Sequence, residues 1–351
     1  MTRGSQHLRS LTSLRFFAAA VVVLYHATIR SSPDLSQPYA LLSFGHLGVA
    51  FFFVLSGFVL VWSARDGDRA MPFYRRRFAR VWPLHALTFV LAAGLGVAGL
   101  IDAVGPAWSA PVNLALLQAW STDGEVLYSY NSVSWSLSAE AFFYLLFPAL
   151  VLLARRVGPV ATVGLGAAWL VVAGVAADVI GYGVHALPLY RVGEFVFGMG
   201  LALLVRRGTP RISPAFAVSA LVASYALLVV VDRISAGGLL ARAWVAVLIL
   251  LPGIALVLLA FARRDIDGGE GALTHPVLVR LGAWSFALYM VHELVLRVAR
   301  PVMLDHGWTV PVVIVVSVLL SGVLFEWFER PVEKKLRGRG RPAVQLEPAA
   351  K

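Results

Sequence analysis

An all-α polytopic membrane protein of about ten transmembrane helices, with both termini in the cytoplasm, is the fold this sequence predicts. Three observations point to it. Ten apolar stretches close to twenty residues long run through the chain, the length that crosses about 30 Å of hydrocarbon. Of 351 residues, 59% are hydrophobic and only 14% charged, where a soluble domain carries about a quarter charged. The lysines and arginines also segregate to one side of the alternating loops.

The spans are expected at 11–30, 41–62, 81–101, 134–154, 158–178, 187–205, 213–231, 239–262, 276–299 and 309–328. The first follows Arg3 and Arg9, as a signal peptide would, but no small-residue cleavage site closes its apolar run, so it is expected to stay as an uncleaved helix. The linkers are short and polar apart from 102–133, which predicts one membrane domain over 1–340 and a short cytoplasmic tail over 341–351 with the composition of a disordered segment. With the termini inside, the cytoplasmic segments hold 22 of the 30 Lys and Arg, and the outer loops hold only Arg30, Arg233, Arg242 and Arg300. That asymmetry sets the orientation in a cytoplasmic (inner) membrane and assigns the net charge of +11 to lipid headgroups rather than nucleic acid.

Several chemistries are excluded. Cysteine is absent, so neither a disulfide framework nor a thiolate metal site can form. There is no P-loop, no His-Glu-x-x-His zinc pair and no Gly-x-Gly-x-x-Gly turn, so neither a metal nor a nucleotide-hydrolysing site is expected. The serines of "SWSLS" lack a nucleophile elbow.

Ionisable residues inside spans are expensive, about 2.5–3.5 kcal/mol each at a helix centre on insertion scales, and mark function. Here they are Arg15, His26, Glu140, Arg191, Glu194, Arg280, His292, Glu293 and Arg297. Alternating span directions place Arg15 near the cytoplasmic face and His26, Glu140, Arg191, Glu194 and His292 in the outer half, the make-up of an acid–base site in a protein-lined cavity. Arg15 and His26 are eleven residues apart, three helical turns plus roughly 20°, so they share one stripe about 16 Å long. At the cytoplasmic side, "FYRRRFARVWP" packs Arg77 and Arg80 three apart on one face. Arginine at this density either anchors the helix or grips phosphate. A ligand with a polyanionic head and a long thin reactive arm fits that stripe, and coenzyme A thioesters have this shape.

The residues carry a resemblance. An arginine followed by a histidine on the first span, "GVAFFFVLSGF" at 48–58, "RFAR" at 77–80, "NSVSWSLSAEAFFYLLFP" at 131–148, "RVGEFVFGMG" at 191–200, "LGAWSFALYMVHE" at 281–293 and "FERP" at 328–331 occur in order. Together, over about 11–331, they resemble the membrane-bound acyltransferase 3 family of integral-membrane O-acyltransferases. Departures are an opening without the Asp-Gly pair often found before the arginine, and Phe286 where tyrosine is common.

The resemblance implies an acyltransferase enzyme. It would transfer an acyl group, acetyl from acetyl-CoA by default, to a hydroxyl of a sugar, glycolipid, polysaccharide or small molecule. It implies His26 acting on the acceptor hydroxyl, Arg15 as its partner toward the donor, and Arg77 with Arg80 on the donor phosphates. A histidine titrating near neutrality can take the proton of a hydroxyl as it attacks a thioester. Glu140 would either polarise His26, in triad fashion, or bind acceptor hydroxyls. Trp135, Ser136, Asn131 and His292 are candidate acceptor or supporting contacts, and Arg191 with Glu194 form either such contacts or a buried ion pair. The alternative function is a polysaccharide or small-molecule exporter without acyl transfer, for which paired broken helices in the two halves are expected and not found in the sequence.

Overall fold

A computed structural model of the chain describes residues 7–31, 42–65, 67–102, 104–181, 183, 185–235 and 242–337. The predicted tail over 341–351 lies outside them. The described chain is helical without strands: α1 Arg9–Ser31, α2 Gly48–Ser63, α3 Ala70–Val97, the short α4 Ala110–Leu114 and α5 Gly124–Leu127, α6 Trp135–Val157, α7 Pro159–Ile180, α8 Pro188–Arg207, α9 Pro214–Ile234, α10 Ala243–Ile266, α11 Pro276–Asp305, α12 Val310–Leu324 and α13 Arg330–Leu336. Proline opens α7, α8, α9 and α11, where its fixed φ suits the first turn and its missing N–H is not needed.

Among the described residues nine helical segments are long and apolar enough to cross a membrane, the last running from α12 into α13. The chain is an integral membrane protein. The ninth predicted span is α11, 30 residues long and set apart by its buried His292, Glu293 and Arg297. It is not one of the nine, and those three groups are buried inside the protein. Two boundaries differ from expectation. α3 begins at Ala70 rather than 81, so Arg75, Arg76, Arg77 and Arg80 stand on helix and not in a loop. The polar first turns are held by α13, where Arg75 donates to the Leu336 carbonyl at 2.9 Å and Arg80 pairs with Glu329 and Glu333. At the other boundary, α12 does not stop near 328 but passes through a π-helical turn, Phe325–Glu329, into α13, and such turns recur at functional sites.

α2 and α8 form the buried centre, while α7 and α9 lie at the periphery. Lipid supplies no hydrophobic drive between helices, so close backbone packing must replace it. A Cβ on Gly57 of α2 would come within 2.0 Å of the Phe195 carbonyl oxygen on α8, and one on Gly198 within 1.9 Å of the Val54 oxygen. α1 packs most extensively on α11. There Gly282 lies against the Thr12 carbonyl and His292 against His26, so the two helices run parallel. This pair carries the residues described next.

Candidate active site

The predicted residues assemble into two groups at different levels of α1. The first lines an open cavity of about 870 Å³, mouth included, at the end of the bundle rich in arginine. Arg15 from α1, Arg77 and Arg80 from α3, and Ser136 and Glu140 from α6 all face it. The three cations differ. Arg80 is neutralised by Glu329 and, at 3.1 Å, by Glu333. Arg77 lies over the Phe73 and Tyr144 rings at 5.9 and 5.8 Å, and its buried Nε has no partner among the described residues. Arg15 makes no ion pair among them either. Arg15 and Arg77 therefore have donors free for an anion, and Arg80 is committed to holding α13.

Glu140 belongs to this cavity. Its Oε1 accepts hydrogen bonds from Ser56 at 3.1 Å and from the Tyr144 hydroxyl one turn along α6. It makes no hydrogen bond to His26. Reasoning from membrane depth alone set Glu140 beside the histidine; the face of α6 it occupies turns it toward Arg15 instead.

The second group centres on His26. Its Nδ1 lies 2.9 Å from Nε2 of His292, with the rings stacked 15° from parallel. His292 Nδ1 is 3.0 Å from the Leu288 carbonyl oxygen. A carbonyl only accepts, so His292 carries its proton on Nδ1, and its Nε2 must accept from His26 Nδ1–H. Neutral His26 is then left with an unprotonated Nε2. The chain of hydrogen bonds fixes the tautomer as well as the orientation.

Glu293 is the carboxylate of this group; the sequence marked it as a charge inside a span but gave it no place at the site. It is buried, accepts from Ser132 at 3.1 Å, and pairs with Arg30, one turn beyond His26 on α1. The sequence signal was the His-Glu pair of "YMVHE" against a cation four residues after His26; Arg30 was counted as a loop charge. Among the described residues, His26, His292 and Glu293 are the group whose ligand atoms come together, within 4.8 Å, as a metal would require. Two imidazole nitrogens on one tetrahedral zinc sit about 3.3 Å apart, and Glu293 already carries Arg30. The 2.9 Å spacing is that of a shared proton.

From His26 an aromatic series crosses the bundle. Tyr25 neighbours His26, His46 is 5.1 Å from Tyr25, His185 is 5.6 Å from His46, and Trp135 is 5.0 Å from His185, measured between ring centroids. Arg191 underlies Trp135 at 5.7 Å, pairs with Glu194 at 2.7 Å and donates to the His185 carbonyl at 2.7 Å. This is a buried ion pair that props the aromatic series and does not touch His26. Burial, with Arg191 and His46 adding to it, holds His185 down at about 3. Asn131 donates to the Met290 carbonyl at 2.8 Å, fixing the 102–133 linker on α11 two residues from His292.

A bundle of membrane helices that joins a cationic cavity to a tautomer-fixed imidazole defines a class of integral membrane enzyme. The comparisons name it. The family model described as acyltransferase domain, acyltransferase 3, matches residues 8–327, and the chain belongs to that family. It is 35% identical to Acyltransferase MdmB of Streptomyces mycarofaciens over 97% of this chain and 96% of that one. It is 29% identical to Exopolysaccharide production protein ExoZ of Rhizobium meliloti (strain 1021) over 85% of this chain and 92% of that one. Nodulation protein 10 of Rhizobium leguminosarum bv. viciae is 27% identical over 44% and 47%. No solved structure matches the chain. The protein is a membrane acyltransferase.

Proposed function

We propose that this enzyme moves an acyl group, acetyl by default, from a cytoplasmic acyl-CoA to a hydroxyl presented near the outer side of the inner membrane, with His26 as general base. The observation that carries the reading is the tautomer chain from the Leu288 carbonyl through His292 to His26, which leaves Nε2 of His26 as the proton acceptor. The charge asymmetry supports a cytoplasmic position for the arginine-rich end, where Arg15 and Arg77 would take the donor phosphates. Phe52, Val49 and Val59 add apolar lining to the same cavity, which would suit a short acyl group.

The acceptor would lie on the Tyr25–His46–His185–Trp135 series, which offers ring faces and few charges, as a hydroxylated sugar, glycan, lipid or metabolite requires. The name Exopolysaccharide production protein makes a glycan acceptor a reasonable member of that class. Glu140 would polarise the donor end of the cavity through its bonds to Ser56 and Tyr144.

The test is mass spectrometry of O-acyl groups on cell-surface glycans and secreted metabolites from a deletion strain, complemented with the wild type or with His26→Ala. Acyl groups restored by the wild type alone support the reading. Normal acylation with lost export in His26→Ala cells would overturn it in favour of a transporter.

A further inference from the structure

Tyr289 stands between the two groups. On α11, Ser285, Tyr289 and His292 are spaced four and three apart, so they share one helix face. Ser285 and Tyr289 line the donor cavity, and His292, the next residue of the stripe, holds His26. The Tyr289 ring is 5.9 Å from the His292 ring and 6.0 Å from that of Phe52. The inner end of the cavity and the imidazole base thus meet across one turn of α11.

At that point two hydroxyls share one backbone acceptor. Ser136 Oγ lies 3.0 Å and the Tyr289 hydroxyl 3.1 Å from the same Val133 carbonyl oxygen, and the two hydroxyls are 2.9 Å from each other. The Val133 carbonyl has two lone pairs and takes both protons, and Ser136 alone would still keep it satisfied. Because Ser136 also donates to Val133, the Tyr289 hydroxyl can exchange its bond to that carbonyl for an acceptor in the cavity without stranding a buried backbone oxygen. One turn nearer the mouth, the buried Ser285 hydroxyl has no partner among the described residues, an arrangement that leaves a cost unless a ligand supplies the bond.

We propose that Tyr289, backed by Ser136, is the oxyanion donor of the transfer, and that Ser285 binds the amide of the donor's arm about 6 Å away along the helix. The proposal rests on the acyl-thioester reading above. His26 Nε2 takes the proton of the acceptor hydroxyl as its oxygen bonds to the thioester carbon. The C=O π pair moves onto oxygen, which accepts a hydrogen bond from the Tyr289 hydroxyl while that proton stays on tyrosine. The carbonyl then reforms, the C–S bond breaks with its pair on sulfur, and the thiolate recovers the proton from His26. Ester and thiol are the only products.

The experiment uses the full chain in nanodiscs with acetyl-CoA and an extract of the source cells as acceptor, reading thiol release. The chain has no cysteine to contribute background. Tyr289→Phe is expected to lower kcat by about 10²–10³-fold, the effect of losing one oxyanion donor, with the donor KM unchanged. Ser285→Ala is expected to raise the donor KM about 5- to 10-fold with kcat retained. Fluorotyrosine at 289, which preserves the shape, should give a kcat that climbs with phenol acidity, a response that a purely structural hydroxyl does not produce. An active wild type with full activity in Tyr289→Phe, or a rate indifferent to phenol acidity, would overturn the oxyanion role while leaving the acyl-transfer reading intact. A wild type that releases no more thiol than His26→Ala would overturn that reading and this proposal with it.

Discussion

The cavity near Arg15 and the cluster around His26 are both polar sites in a membrane bundle, yet they are built oppositely. The cavity is open and under-satisfied: Arg77 Nε and Ser285 Oγ are buried without partners among the described residues, and Arg15 has no counter-ion there. Around His26 the bonds run in sequence, from Leu288 through His292 to His26, with Arg30 and Ser132 on Glu293. Groups with unmet capacity suit reversible binding, because a ligand completes them. Groups whose bonds are already assigned suit proton transfer, because orientation and tautomer are fixed before substrate arrives. The difference predicts that binding and chemistry can be lost separately.

The largest expected effect breaks the pair at its chemical end. His26→Ala should reduce acyl transfer by about 10³-fold, within the range of general-base catalysis, while donor affinity measured by calorimetry with acetyl-CoA stays within about twofold. Arg15→Gln should do the reverse, weakening donor binding about tenfold or more through loss of a charge-assisted contact. If His26→Ala abolished donor binding too, the two regions would be one site.

Next in size is a contrast inside the cavity. Arg80 holds Glu329 and Glu333, both largely buried. Arg80→Met strands two carboxylates, so thermal stability in detergent should fall by about 2–3 kcal/mol, below the range for fully buried pairs because Arg80 keeps some solvent contact. Adding Glu329→Gln should recover part of that loss. Arg77→Met, which breaks no ion pair, should leave stability near wild type and weaken only donor binding. Equal destabilisation by both would show that the cations are not divided between structure and ligand.

How much of this was legible in the sequence follows from the range of each interaction. Spans are written locally, as twenty apolar residues, and nine of the ten expected stretches appear among the described residues as helices long and apolar enough to cross, α11 being the exception and α3 the one that starts far earlier than expected. That extension depends on Glu329 and Glu333, about 250 residues away. The Arg15–His26 stripe was legible because helical period alone aligns it. The partner of His26 was not: the sequence set Glu140 and His292 both in the outer half, and only the packing of α1 on α11, with Gly282 admitting the Thr12 backbone, selects His292. Tyr289 was hidden for the same reason, being one of many aromatic residues in an apolar segment. The buried pairing of Arg191 and Glu194 was open in the sequence, since three residues' spacing fits both an ion pair and two independent contacts.

A finer effect separates orientation from acidity. His292→Leu removes the acceptor of His26 Nδ1–H, so the imidazole can flip or change tautomer, and kcat should fall by about 10- to 100-fold with the donor KM unchanged. His292→Gln places an amide oxygen near the vanished Nε2 and should recover most of that loss. Glutamine as poor as leucine would show that His292 contributes its titration rather than its lone pair.

The smallest expected effect concerns His185, which also lies in the aromatic series but outside the spans. Burial and Arg191 hold it down at about 3, so it is neutral throughout the range in which an O-acyl ester and a thioester survive. His185→Gln removes a ring from the stack between His46 and Trp135 without removing a charge. The acceptor KM should rise about two- to fivefold, as for loss of one aromatic contact of about 0.5–1 kcal/mol, while the pH profile of kcat keeps its midpoint. A shifted midpoint would mean that His185 titrates with His26 and His292, and the proton chain would then extend from His26 through His46 across that end of the bundle rather than stopping at His292.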